Sequence, residues 1–152
     1  MDTYINKMAA MDHVLEIERQ IQVIKERMCA RHSGIPYNRM TRWMVIGLGK
    51  YSVMMINALP PKIGISRTYI PHTIMTYKQL DFKKQCRRPS GAYVQSHDNR
   101  KVTNKMIDHT QGTIYLGPTG NPQGTYAFLL ICTRRKITRR QFTEMPTPLC
   151  VN

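Results

Sequence analysis

The sequence predicts an α+β fold, with N-terminal helices followed by a small antiparallel β-barrel. Two observations predict it. Apolar residues recur at helical steps up to about residue 58, whereas from Gly91 onward they fall into short β-prone runs separated by turn residues. A third observation bounds the size, because 152 residues leave room for one ordinary domain or two small ones.

From Met11 to His32 the apolar positions Val14, Ile17, Ile21, Ile24 and Met28 form one stripe of an amphipathic helix. Asp12 is the candidate cap, and Gly34 and Pro36 stop the helix. Glu18, Gln22 and Lys25 form a second stripe about a quarter-turn around, which places a carboxylate beside the face expected to be buried. On the residues alone, such a Glu and Lys are ordinary solvent-facing groups of a surface helix. Residues 40 to 58 read as a second helix, broadly apolar, weakened by Gly47 and Gly49 and closed by Leu59, Pro60 and Pro61. Its breadth predicts packing on two sides. Residues 43 to 59 are also the only membrane candidate, but Lys50 at their centre would cost roughly 2.5 to 3.5 kcal/mol on insertion, which favours a buried helix. Residues 60 to 90 are rich in proline and basic residues and read as a connector, with one short helix near Ile74 to Leu80.

The β-prone runs are "AYVQSH" (92 to 97), "GTIYLG" (112 to 117), "TYAFLLIC" (125 to 132) and "KITRRQF" (136 to 142). The glycines between the second and third do not form a phosphate cradle. A P-loop needs Gly-Lys-Ser/Thr after four intervening residues, and five positions after Gly117 stands Pro122. Gly117 to Gly124 are therefore expected as an exposed hairpin connection. Trp43, Tyr93 and Tyr126 are expected in the core rather than as base-stacking platforms.

Lys and Arg number 23 against 9 Asp and Glu, a formal charge of +14. A field of that sign favours polyanions, nucleic acid before anionic membrane. The bland alternative is a basic surface with no dedicated partner. In "RRKITRR", strand alternation puts Arg135, Ile137 and Arg139 on one face and Arg134, Lys136, Thr138 and Arg140 on the other. Burial of Ile137 turns the second face outward, where Arg134, Lys136 and Arg140 are expected to contact phosphates without reading bases. Lys83, Lys84, Arg87 and Arg88 form the next basic cluster. Cys29, Cys86, Cys132 and Cys150 are too scattered for a zinc site. Residues 1 to 15 lack a signal-peptide pattern, so the nucleus or cytoplasm, with free thiols, is the expected location.

Four pieces, "IERQIQVIKERM", "MMINALPPKIGISRTYIPHTIM", "QLDFKKQCRRPSGAYVQSHDNRKVTNKM" and "GTIYLGPTGNPQGTYAF" with "KITRRQFTEMPTP", resemble in order and spacing the integrase region of copia-type retrotransposon polyproteins. The resemblance implies that residues 1–59 are the C-terminal helices of a truncated ribonuclease-H-like catalytic core, 60–90 a basic linker, and 91–148 an SH3-like β-barrel. It makes Glu18 the third, metal-binding carboxylate of a catalytic triad and Lys25 a DNA contact. Gln22 departs from the basic residue common at its place. Both triad aspartates lie upstream in that family, and Asp2 and Asp12 are too near Glu18 in sequence to replace them. Mg²⁺ or Mn²⁺ therefore belongs to the complete integrase, none is expected for this piece, and strand transfer by it alone is not expected. Ser90 stands where the family has Phe, and "ICTRRK" where it has an Asn-Thr-Gly turn, departures expected to loosen the barrel. The implied partners are DNA or RNA, other parts of the polyprotein and a second copy of the chain, with no membrane. The implied function is DNA integration. The alternatives are a stand-alone basic RNA- or DNA-binding module, and an inactive transposon relic.

Overall fold

The computed structural model describes residues 15–37, 39–60, 66, 68–98, 106, 108–121 and 123–148. Val14, the Asp12 cap, Asp2 and Cys150 lie outside them. Helix α1 (Leu15–His32) carries Glu16 and Glu18 in its first turn and Arg31 and His32 in its last, the polarity that suits the helix dipole. Helix α2 (Arg42–Asn57) starts at Thr41, whose hydroxyl accepts from the Met44 amide at 3.4 Å. Helix α3 spans Pro71–Thr76, not residues 74 to 80: Pro71 sits in the first turn and Tyr77, at φ 55°, ends it. A single turn that sequence reading passed over, α4 (Phe82–Gln85), is capped by Asp81.

The expected stripe on α1 is present but does not face a core. Ile17 is 57% exposed and Ile21 46%, and no residue of the helix is buried. Helix α1 packs against α2, where Met28 lies 3.7 Å from the position a Cβ on Gly49 would take.

Five antiparallel strands follow: β1 (Tyr93–His97), β2 (Thr110–Pro118), β3 (Tyr126–Leu130), β4 (Lys136–Arg139) and β5 (Phe142–Glu144), in the order β4-β3-β2-β1-β5. The segment expected as one strand, "KITRRQF", is two strands on opposite edges. Arg140 and Gln141 alone join them. Flat, those edges would stand about 19 Å apart at four strand spacings, yet three Cα steps reach about 11 Å at most. The sheet therefore curls strongly. Among the described residues no ladder joins β4 to β5, so the barrel is open rather than closed by hydrogen bonds.

Curling creates two cores. Inside lie Val94, Tyr115, Tyr126, Phe128 and Phe142. Their four rings pack pairwise with centroids 5.3 to 6.4 Å apart, every pair tilted or edge-to-face as aromatic quadrupoles prefer. On the outer face Ile114, Leu116, Ala127 and Leu129 meet Met44 of α2 and Tyr37. Ile114, Tyr115 and Leu116 are all buried because β2 has a core on each side.

A β-bulge makes the outer contact fit. The pairing shifts between Tyr115, opposite Phe128, and Gly117, opposite Ala127, which leaves Leu116 as the extra residue. Gly117, at φ +139°, is buried and lies 3.7 Å from the Tyr51 ring, measured from where its Cβ would stand. It belongs to β2 and not to the exposed connection expected from Gly117 to Gly124. Ser90 is buried and its hydroxyl donates to the Leu116 carbonyl at 3.1 Å, a hydrogen bond that a Phe side chain could not make.

Candidate nucleic-acid interface

The β4 edge follows the expected alternation. Lys136 and Thr138 are exposed, while Ile137 packs on the inner core and Arg139 is half-buried. Arg139 donates to Asp98 at 3.2 Å, so its charge is matched at the rim. Arg134, Lys136 and Arg140 are exposed and have no ion-pair partner among the described residues. Arg134 sits in the β3–β4 turn at φ 53°, with its amide on the Leu130 carbonyl at 2.8 Å. It occupies the left-handed position where a turn glycine would ordinarily stand.

The cations at positions 83 to 88 have different surroundings. Arg87 and Arg88 both reach Glu144 of β5, Arg87 at 3.4 Å, and the Arg87 guanidinium lies 4.8 Å from the centroid of the Phe142 ring. Lys84 pairs with Asp81 at 3.3 Å, and its carbonyl accepts from the Tyr126 hydroxyl at 2.9 Å. The Lys84 side chain beside Asp81 holds that carboxyl below its ordinary pKa. Residues 81 to 88 are thus tied to the sheet. Lys83 is exposed.

Glu18 and Lys25 are exposed on α1. Among the described residues no three of His, Cys, Asp or Glu converge where they could hold a metal ion. The described donors do not fit a two-metal centre.

Sequence reading missed a cleft of about 420 Å³ between α2 and the β2–β3 hairpin. Trp43, expected in the core, is 43% exposed and lines this cleft. The Lys136 ammonium lies 5.6 Å from the centroid of its ring. Trp43, Ile46, Lys50, Val53 and Asn57 recur at steps of three and four and all line the cleft, whereas Met44, Leu48 and Tyr51 form the buried stripe. That second periodicity was the available signal. It was hidden because most of its members are apolar and read as core. Tyr126 is buried as expected, and Tyr93 is half-buried.

No family model, curated protein or solved structure matches the chain. Among the described residues no helix is long and apolar enough to cross a membrane.

Proposed function

We propose that this chain binds the phosphate backbone of nucleic acid through the exposed β4 edge, within an integrase-type polyprotein that acts in DNA integration. The observation that carries the binding is the trio Arg134, Lys136 and Arg140, exposed together with no acidic partner among the described residues. Solvent-facing cations on one edge exchange condensed counterions of a polyanion for direct contacts. Basic edge strands also resist edge-to-edge pairing, and that structural role is compatible with binding. DNA as the nucleic acid, and integration as the process, come from the resemblance to copia-type integrases. Metal chemistry is assigned to the complete integrase and not to this chain. The exposed apolar residues at the start of α1, Leu15, Ile17 and Ile21, suit a chain that packs against further parts of such a polyprotein.

The core shared by α2 and the sheet favours a second reading, a self-contained basic RNA- or DNA-binding module. The second reading predicts salt-sensitive binding without added divalent ions and no effect of Glu18→Gln on it, whereas the first predicts that Glu18→Gln abolishes strand transfer by the complete integrase.

The test of binding is duplex DNA affinity across a salt series, for the wild type and for Arg134, Lys136 and Arg140 changed together to Ala. Loss of three phosphate contacts flattens the log-log salt slope by roughly 2 to 3 units. An unchanged slope moves the interface away from β4, and Lys83 and Lys25, each exposed, are then the next cations to change, one at a time.

A further inference from the structure

The cleft between α2 and the β2–β3 hairpin has features that converge on one ligand chemistry. Its volume of about 420 Å³ falls in the range of sites that enclose a small ring system with its substituents. Its rim carries an exposed tryptophan, an unusual place for a residue that is highly buried on average. Lys50 and Lys136 line it, no Asp or Glu does so among the described residues, and buried Gly47, Leu116 and Ala127 supply an apolar floor. A flat apolar ring with anionic groups attached complements such a surface.

We propose that this cleft receives an unpaired base of a single-stranded nucleic acid, stacked on Trp43, with Lys50 and Lys136 on the flanking phosphates. The proposal rests on the nucleic-acid reading above and names the form of the strand. A base within a duplex has both faces covered by its neighbours, so an indole on a rim can stack only on a base that is out of the helix. The ammonium of Lys136 already lies over the indole, where cation–π attraction holds it. An arriving phosphate offers it a full opposite charge, which frees the ring face for the base. Among the polar side chains that line the cleft, Asn57, Gln85 and Thr119 each both donate and accept, so they suit any base edge. Stacking with tolerant polar neighbours gives binding with little sequence preference.

Trp43 is the only tryptophan in the chain, so its fluorescence reports on this cleft alone. The experiment titrates the whole chain with oligothymidylate, with an abasic strand of equal length and with a duplex of equal length, at one salt concentration. Oligothymidylate is expected to quench the fluorescence, while the abasic strand and the duplex bind with little quenching. Trp43→Ala is expected to weaken oligothymidylate binding about tenfold and to leave duplex binding unchanged. Trp43→Phe keeps a stacking ring and restores part of the loss, which separates stacking from any loss of folding. Equal quenching by the abasic strand overturns the stacking proposal. So does a Trp43→Ala variant with full single-strand affinity, and duplex binding that persists in either case leaves the β4 reading standing. If neither strand form binds at low salt, both readings fall.

Discussion

Two glycines on one helix make opposite demands. A methyl on Gly47 would stand 3.0 Å from the Leu116 Cβ and 3.1 Å from its Cδ2, whereas one on Gly49 would meet the Met28 thioether at an ordinary 3.7 Å. Alanine gains about 1 kcal/mol over glycine in a helix interior, and overpacking costs about 1 to 3 kcal/mol. Gly47→Ala is therefore expected to lose about 1 kcal/mol net, and Gly49→Ala to gain up to about 1 kcal/mol, with urea midpoints reading both. A second residue-scale effect lies in the inner core. The Tyr115 hydroxyl is buried with no hydrogen-bond partner among the described residues, and burial raises its pKa well above the ordinary 10.0. Below pH 10 the phenol is neutral in both folded and unfolded chains. Above it the unfolded chain ionises first, so stability falls as pH rises toward the folded value. Tyr115→Phe removes the unpaired group, and is expected to gain about 1 kcal/mol at neutral pH and to reduce the alkaline loss in a melting series.

At the scale of the element, the β3–β4 turn sets stability against binding. Arg134 holds a left-handed conformation, which costs a residue with a Cβ roughly 1 to 2 kcal/mol. Arg134→Gly is expected to raise the melting temperature and to weaken duplex DNA binding, with the salt slope falling by about 0.9 for one lost contact. A variant that gains stability and keeps its slope would show that Arg134 touches no phosphate. The Arg87 and Arg88 pairs with Glu144 join the segment before β1 to β5 across partly exposed groups, where such pairs contribute about 0 to 1 kcal/mol. Their larger effect is positional: they fix residues 87 and 88 against the strand that completes the curl.

For the molecule as a whole, protection should follow the two cores. Amides of β2 and β3 lie between both and carry the largest fully buried side chains, Tyr115 and Phe128. No residue of helix α1 is fully buried, and only Val23, Ile24 and Met28 are half-buried. Hydrogen exchange is expected to be slowest in β2 and β3, intermediate in α2 and fastest in α1. Protection of α1 equal to that of α2 would mean that its apolar stripe is covered in solution, by a second copy of the chain for example, and concentration dependence would identify that case.

Local chemistry in the sequence determined the order of elements: the helical stripe of α1, the apolar run of α2, the hairpin around Gly120 and the in-out alternation of Lys136 to Arg139 all follow from neighbours a few residues apart. Hydrophobic periodicity says that a face is apolar. It does not say whether anything covers that face, so the stripe on α1 looked like core and Trp43 looked like core. Only tertiary structure decided that α2 has one stripe against the sheet and another around a cleft, because that division depends on where Leu116 and Gly117 come to lie after the bulge. Likewise the split of residues 136 to 142 into two strands follows from the curl of the whole sheet, which no window of a few residues contains. The basic trio on β4 was legible because charge and alternation are local. The pairing of Lys136 with Trp43 was not, since two residues 93 positions apart meet only when α2 packs on the sheet.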